Sequence, residues 1–213
     1  MRHWPLFSLS VTTARLELRM PSLADLDELA ERAAEGVHDP AEMPFSLPWT
    51  DGSPEERARA TVRYHFGRWA AWTPESWTCP FVTVFEGQIV GTQELEATDF
   101  AVTREVRTGS WLGLRFQGRG IGTEMRRAVL HLAFDGLGAE SAVSEAYLDN
   151  PRSLGVSRRL GYRDDGLLRT GRRGRMAVQQ RLRLDREHWS TPPGHRVDGL
   201  EPCLPLLGAL RDA

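Results

Sequence analysis

The sequence contains no lysine, because all 27 of its basic residues are arginine. Lysine forms the Schiff base with pyridoxal phosphate and supplies the phosphate-binding amine of P-loop and kinase sites. The composition therefore excludes these kinds of site. The 29 acidic residues nearly balance the arginines and leave a net charge of −2. No overall positive field favours nucleic acid or an anionic membrane as a partner.

Cysteine and long apolar runs are also scarce. Cys79 and Cys203 have neither the spacing of a metal site nor that of a disulfide framework, which is typical of a reducing compartment. No apolar window approaches the ~20 residues that a membrane helix needs, and the opening segment MRHWPLFSLS has too short an apolar run for a signal peptide. We therefore expect a cytoplasmic protein with no metal site and no membrane or nucleic-acid partner.

Hydrophobic periodicity predicts both strands and helices. Some segments alternate apolar and polar residues, whereas others repeat apolar residues every three or four positions. The chain order is a strand, two helices, a strand meander, and then alternating helices and strands. Strands are predicted over 13–20, 81–85, 88–95, 105–116, 141–147, 162–168 and 175–184, and helices over 23–35, 53–72, 120–136 and 151–160.

Two segments lack a sustained period. The segment 37–52 holds three prolines, and loops of this length in compact domains are usually functional. The last segment, 186–213, has four prolines and predicts an irregular tail. Its five leucines are too many apolar groups for a free linker. We expect the tail to pack on the domain formed by 1–185 or on a partner subunit, and we expect a homodimer.

A glycine-rich run, Gln-Gly-Arg-Gly-Ile-Gly over 117–122, lies between a predicted strand and a predicted helix. Glycines there let backbone N–H groups approach an anion at the positive end of the helix, and a pyrophosphate suits that geometry. A simple tight turn is the alternative. A dinucleotide-binding loop is a further alternative, but Thr123 breaks its glycine spacing and the preceding strands predict an antiparallel meander.

Two motifs resemble those of a known family. The pattern Gln117-x-x-Gly120-x-Gly122 is similar to the pyrophosphate loop of the GCN5-related N-acetyltransferases (GNAT). The segments 150–153 (Asn-Pro-Arg-Ser) and 157–162 (Ser-Arg-Arg-Leu-Gly-Tyr) resemble the signature of its RimJ/RimL branch. The resemblance covers roughly 13–185 as an acyltransferase domain. It implies an α+β fold, an α/β arrangement of three layers with a mixed, mostly antiparallel central sheet flanked by helices.

The resemblance also implies an activity. Such enzymes hold an acyl-CoA and an amine together, and the amine attacks the thioester directly in a ternary complex. The cosubstrate is acetyl-CoA or another short acyl-CoA, and the acceptor is a protein amino group or a small amine. The strand 112–114 would pair with the pantetheine, and the glycine loop would hold the pyrophosphate. The implied CoA-binding residues are Leu112, Gly113, Leu114, Gln117, Gly118, Arg119, Gly120, Ile121, Gly122, Thr123, Asn150 and Ser153.

Candidate catalytic residues are less well defined. Many members of the family protonate the leaving thiolate with a tyrosine at the position of Ser157, and the resemblance offers Ser153 instead. The base that deprotonates the amine is not identified. His38 and Asp39, in the loop expected to border the acceptor pocket, and Glu145 are candidates, with loop capping or a solvated charge as the alternative for each.

Two further possibilities follow from the residues. Because the general base is not identified, a catalytically silent acyl-CoA-binding regulatory module is the alternative function. A carboxylated donor such as succinyl-CoA is also considered, because arginines cluster in late segments that should approach the acyl end of the cleft and arginine binds carboxylates through paired hydrogen bonds. These arginines are Arg169, Arg172, Arg173 and Arg175.

Overall fold

A computed structural model describes residues 1–210 of the chain. It contains nine strands and five α-helices in that range, joined by several short 3-10 turns. The strands are β1 (Ser10–Thr12), β2 (Leu16–Arg19), β3 (Ser76–Phe85), β4 (Gln88–Thr98), β5 (Glu105–Leu112), β6 (Ser141–Tyr147), β7 (Arg163–Arg172), β8 (Arg175–Asp185) and β9 (Arg196–Asp198). The helices are α1 (Leu23–Glu35), α2 (Pro54–Ala70), α3 (Phe100–Thr103), α4 (Ile121–His131) and α5 (Pro151–Arg159).

All nine strands form one sheet in the order β7-β8-β6-β5-β4-β3-β2-β1-β9. Each neighbouring pair is antiparallel except β5 and β6, which run parallel. Helices α1 and α2 cover one face through a small apolar cluster around Leu26 and Leu29. Helices α4 and α5 cover the other face, where the main core lies. The predicted α+β fold with a mostly antiparallel sheet between helices is confirmed.

The sheet splits between β5 and β6. The two strands pair only over Glu105–Arg107 and Ser141–Val143. Beyond that point β5 stays hydrogen-bonded to β4 as far as Leu112, and β6 stays hydrogen-bonded to β8 as far as Tyr147. Within residues 1–210 no strand pairs with the free edge of 108–112, so the split opens a cleft in the middle of the sheet.

The helices begin where the local sequence satisfies their first N–H groups. Ser22 caps α1 and Ser53 caps α2, each in a capping box with the acidic residue three positions later. Helix α4 continues into a π-helical turn, Leu132–Leu137, which ends at Gly138 with a φ of 74°. Glycine adopts this left-handed conformation without steric cost, so the predicted end of the helix coincides with a glycine.

Several strands differ from their predicted bounds, and β3 and β5 show why. Strand β3 begins at Ser76 rather than at 81 and includes Pro80. The pairing of β3 with β2 ends at Val82, so Pro80 has a strand partner only in β4, which suits a residue that cannot donate a backbone hydrogen bond. Strand β5 ends at Leu112 rather than at 116, because Leu114–Phe116 form a 3-10 turn that leads into the glycine loop.

The segment after Asp185 is more regular than the predicted irregular tail. Strand β9 pairs with β1 and so extends the sheet at its far edge. A 3-10 helix, Glu201–Leu207, follows, and its Leu207 is fully buried. The indole nitrogens of Trp72 and Trp77 donate hydrogen bonds to the carbonyls of Leu206 and Leu207, both at 3.0 Å.

We expect Leu207→Ala to lower the free energy of unfolding by about 2–5 kcal/mol, because it opens a cavity where a fully buried leucine packs. Denaturant titration measures this difference. Leu210→Ala is the matched control, since Leu210 is 60% exposed and its truncation should change stability by less than about 0.5 kcal/mol. Equal small effects of the two substitutions would contradict a structural role for this segment.

Candidate active site

The glycine loop connects the end of β5 to the start of α4. Gly118 and Gly120 have φ values of 75° and 80°, a left-handed conformation that side chains disfavour. Gly120 is the N-cap of α4, and it has no side chain that could accept a hydrogen bond from the first-turn N–H groups. The first-turn N–H groups of Ile121 and Gly122 therefore lack intrahelical acceptors and point toward the loop. This is the geometry of an anion site at a helix N-terminus.

Gln117 ties the loop to three other parts of the chain. Its Nε2 donates to the carbonyl of Val37 at 2.7 Å and to that of Leu112 at 3.0 Å. Its Oε1 accepts a hydrogen bond from Nη1 of Arg152 at 3.3 Å. Arg152 belongs to the segment 150–153, so the structure brings the two sequence motifs together.

Arginine side chains surround the loop. Arg15 bonds Glu124 on α4 at 2.8 and 2.6 Å, and its Nη2 lies 3.6 Å from the position of a Cβ built on Gly120. Arg119 lies over the ring of Phe85, 4.8 Å from the centroid. The contribution of Arg15 was missed in the sequence, because the sheet alone brings this residue beside a loop more than 100 positions away.

The backbone predicted to pair with pantetheine is largely engaged within the chain. The N–H of Gly113 donates to Val90 at 2.9 Å, and the N–H of Leu114 donates to Gly36 at 3.0 Å. The carbonyl of Leu112 accepts from Gln117. The rest of the free edge of β5, 108–111, lies immediately upstream. The role of 112–114 in pantetheine binding stays a prediction.

The segment 150–153 begins α5. Asn150 Oδ1 accepts a hydrogen bond from the backbone N–H of Ser153 at 3.1 Å, which is the helix cap that the sequence indicates. The hydroxyl of Ser153 makes no hydrogen bond within residues 1–210, and the residue is partly buried next to Arg152, which contacts Gln117 of the glycine loop. Ser157 is fully buried and accepts a hydrogen bond from Arg126 at 2.9 Å.

The catalytic candidates His38 and Asp39 bond within their own loop. His38 Nδ1 contacts the carbonyl of Asp39 at 2.8 Å, and its Nε2 contacts Thr50 Oγ1 at 2.7 Å. Asp39 Oδ1 accepts from the N–H of Ala41 at 2.9 Å. Their catalytic roles stay predictions. Glu145, the third candidate, forms an ion pair with Arg107 at 2.7 Å.

A row of aromatic contacts packs this loop against the sheet. Phe45 packs on Trp49, with 5.2 Å between ring centroids, and Trp49 packs on Trp111 of β5 at 5.7 Å. The loop 37–52 therefore covers the end of β5 on the face opposite α4. This arrangement borders the cleft with aromatic side chains.

Glu94 of β4 is a candidate site residue that the sequence analysis does not single out. Its carboxyl accepts a hydrogen bond from the Tyr64 hydroxyl at 2.9 Å. It lies opposite Gly109 of β5, where a Cβ would come 3.5 Å from Glu94 Oε2. Burial, together with the nearby carboxylate of Glu96, raises the pKa of Glu94 to about 7, although Tyr64 and Arg68 oppose the shift. A carboxyl with this pKa can accept a proton at neutral pH.

One pattern in the sequence indicates the orientation of Glu94. In QELE over 93–96 the charged side chains alternate with Gln93 and Leu95, which places both glutamates on one face of a strand. Charge alternation alone predicts a solvated face. Only the position of Tyr64 on α2 and the missing side chain at Gly109 make Glu94 a partly buried carboxyl beside β5.

Two of the clustered arginines bind carboxylates of this chain. Arg172 pairs with Asp149 at 2.8 and 2.6 Å, and it also donates to the carbonyl of Met43 at 3.2 Å. Arg173 pairs with Asp51. These contacts attach the loop 37–52 to the β7–β8 hairpin.

Within residues 1–210 no group of three or more His, Cys, Asp or Glu is arranged to hold a metal. The helices in the same range are too short or too polar to cross a membrane.

The fold and the loop define the class of the protein. The family model described as the acetyltransferase (GNAT) domain matches residues 15–163, which is more than half of the chain. The chain belongs to the GNAT acetyltransferase family, as the two motifs predict. A Bacillus subtilis (strain 168) protein named "Putative ribosomal N-acetyltransferase YdaF" is 30% identical over 88 residues. That match covers 41% of this chain and 48%, about half, of the relative.

Solved structures share the fold. RimJ from Mycobacterium smegmatis, in complex with CoA-disulfide, is 19% identical, with coverage of 84% of this chain and 88% of that chain and a TM-score of 0.69. RimL, a ribosomal L7/L12 alpha-N-protein acetyltransferase in complex with coenzyme A, is 18% identical, with coverage of 81% and 95% and a TM-score of 0.64. Both lie in the branch that the segments 150–153 and 157–162 resemble.

Proposed function

We propose that the protein is an acyl-CoA-dependent N-acetyltransferase that acts on a protein amino group. The observation that carries this proposal is the glycine loop at the N-terminus of α4, beside the cleft between β5 and β6. Gly118 and Gly120 free backbone donors at the positive end of a helix. Arg15 and Arg119 lie beside these donors, paired with Glu124 and Glu86, and a pyrophosphate would compete with those carboxylates for them. These features suit a pyrophosphate.

Glu94 is the proposed general base. An acceptor that arrives as an ammonium first releases one proton to solvent, because the free lone pair of the neutral amine forms the new C–N bond. As that nitrogen bonds to the thioester carbon, Glu94 takes the second proton from it, the C–S bond breaks, and the C–S electron pair leaves with sulfur. The hydrogen bond from Tyr64 holds the carboxyl over Gly109 at the open part of β5. Cys79 and Cys203 take no part, since both are buried.

The acceptor side of the cleft favours a cation. Glu94, Glu96 and Glu145 lie on the same face of neighbouring strands, and only Arg107 lies between the latter two carboxylates. An ammonium group is attracted to this face before its deprotonation. The names of YdaF and RimL refer to ribosomal and alpha-N-protein acetylation, which supports a protein amine as the acceptor.

The proposed donor is acetyl-CoA. Arg172 and Arg173 already bind Asp149 and Asp51, so a donor carboxylate would have to compete with carboxylates of the chain itself. Recognition of a succinyl carboxylate would therefore depend on Arg169 and Arg175, and succinyl-CoA stays a prediction to be tested beside acetyl-CoA.

The homodimer also stays a prediction, which light scattering of the full chain tests.

A matrix of acyl-CoAs against amines tests the function. Acetyl-CoA, propionyl-CoA and succinyl-CoA are each combined with peptides that have free or blocked N-termini and with small amines, and released CoA thiol is measured. We expect thiol release with acetyl-CoA and free-amine peptides, with the acyl group located by mass spectrometry. Tight CoA binding without thiol release from any pair would favour the catalytically silent module instead.

Ser153→Ala should lower kcat by less than about tenfold, because thiolate departure can proceed without full proton transfer and a serine hydroxyl is a weak acid. Turnover with the best pair from the matrix measures this. CoA affinity, measured by calorimetry, should remain close to that of the unmodified protein. A loss as deep as that expected for removing the base, with CoA affinity intact, would assign Ser153 a larger role.

A further inference from the structure

Arg126 on α4 is a buried cation whose partners are hydroxyl groups. Its side chain is 5% exposed. Nη1 donates to Ser157 Oγ at 2.9 Å and to Ser144 Oγ at 3.3 Å, and Nη2 donates to Ser110 Oγ at 3.3 Å. These serines come from α5, β6 and β5, so the guanidinium lies at the base of the cleft where the two strands separate.

This cation lacks a negative partner. Within residues 1–210 no carboxylate lies within ion-pair distance of Arg126, and its Nε has no hydrogen-bond acceptor. The titratable group that faces it is Tyr162, whose buried hydroxyl has a raised pKa and stays neutral. Buried charges are usually paired, because an unpaired one is costly. Arginine cannot relieve the cost by losing its proton. A negative charge supplied by a ligand would complete the site.

Ser110 connects Arg126 to the cleft. Ser157 and Ser144 are 0% and 2% exposed, and Ser144 donates its proton to the carbonyl of Thr108 at 3.4 Å. Ser110 is only partly buried and lies on the free edge of β5. Because its oxygen accepts from Arg126, its own proton is available to a ligand in the cleft.

Arg126 lies too far from the glycine loop to contact a phosphate bound there. Arg126 lies six residues after Gly120, so it is about 9 Å further along the axis of α4. A pyrophosphate held at the helix N-terminus would not reach it. The part of an acyl-CoA that lies deeper in the cleft is the thioester, and aminolysis places negative charge there.

We infer that Arg126 and Ser110 form a thiolate-stabilising pair, in which Ser110 donates a hydrogen bond to the departing sulfur and Arg126 positions and polarises that hydroxyl. The inference rests on the proposed function. As the amine attacks, the C–S electron pair moves to sulfur and the amine proton goes to Glu94. Ser110 keeps its own proton and stabilises the thiolate by a charge-assisted hydrogen bond. Arg126 is a positioning residue, since it acts through Ser110.

The thiol pKa of bound CoA tests this inference, because a purely structural arginine would not change it. Ultraviolet absorbance of the thiolate is followed during a pH titration of CoA on the unmodified protein, Arg126→Met and Ser110→Ala. We expect the bound thiol to titrate about 1–3 units below free CoA, as a nearby positive charge lowers such a pKa. Arg126→Met should move the titration back toward free CoA, and Ser110→Ala should move it part of the way.

Two controls accompany the titration. Arg127 is the exposed neighbour on α4, so Arg127→Met should leave the titration unchanged. Desulfo-CoA, which lacks the thiol, should bind the unmodified protein and Ser110→Ala equally well. Ser110→Ala also keeps the test open if Arg126→Met does not fold. Bound CoA that titrates like free CoA would overturn this inference alone, whereas no CoA binding at all would overturn the proposed function as well.

Discussion

Glu94→Gln should lower kcat by about 10²–10⁴-fold, the range expected when a general base is removed. The glutamine amide keeps the size of the carboxyl and can still accept a bond from Tyr64, but it cannot take the amine proton. The unmodified protein should show a rise of kcat/KM with pH through about 7, the pKa to which burial raises Glu94. With the same acceptor amine, this ionisation should be missing from the Glu94→Gln profile.

Glu96→Gln is the matched control for this experiment. Glu96 lies two residues further along β4 on the same face and pairs with Arg107 at 3.5 Å. Its replacement should change kcat by a small factor and keep the ionisation in the profile, displaced to lower pH because the Glu96 carboxylate helps to raise the pKa of Glu94. Similar losses in Glu94→Gln and Glu96→Gln, or an unchanged pH profile in Glu94→Gln, would remove Glu94 as the base.

The same carboxyl links stability to pH. Its pKa is raised from 4.5 to about 7 in the folded protein, so the folded chain holds a proton that the unfolded chain releases. The free energy of unfolding should therefore fall as pH rises between these values. In Glu94→Gln the free energy of unfolding should fall less over this pH range. Urea titrations of both proteins across that range measure the difference without any substrate.

Gly120→Asp should weaken CoA binding at least tenfold more than Gly120→Asn, a difference of about 1.4 kcal/mol. Both side chains tolerate the left-handed conformation at φ 80° better than most residues do, so their backbone strain is similar. They differ in charge. The aspartate would place a carboxylate where the N–H groups of the α4 N-terminus should meet phosphate.

Calorimetry with CoA measures both variants, and circular dichroism checks that each is folded. The difference between the variants should shrink as salt is added, since repulsion at an exposed site is screened. Arg15 lies close to the new side chain and could pair with the aspartate, so Arg15→Gln in both backgrounds should widen the difference. Equal affinities of the two variants would contradict the pyrophosphate assignment.

The sequence predicts the elements and the phosphate loop because both depend on local patterns. Apolar spacing and capping serines define α1 and α2, and the glycines at 118 and 120 occupy left-handed positions that few other residues tolerate. Strand β9 escaped prediction because it has three residues and forms only by pairing with β1. Short edge strands depend on a distant partner and leave little periodicity to detect.

The chemistry of the cleft depends on contacts that the sequence does not display. Glu94 acquires its shifted pKa from burial beside Tyr64, 30 positions away. Arg126 occupies a helix whose other inward residues are apolar, and its serines come from separate elements. The sequence does not show that Arg126 is buried while Arg127 is exposed, because the packing of α4 on the sheet decides which of the two faces inward.

The pairing of β1 with β9 has a consequence for folding kinetics. Ser10 lies opposite Asp198, so this edge of the sheet closes a loop that contains most of the chain. Contacts of such large sequence separation cost the most loop-closure entropy and slow folding. During synthesis the edge cannot close until the chain beyond Asp198 has left the ribosome. The indole bonds of Trp72 and Trp77 to the last 3-10 helix depend on the same late segment. The fluorescence of Trp72 and Trp77 should therefore respond to the docking of this segment.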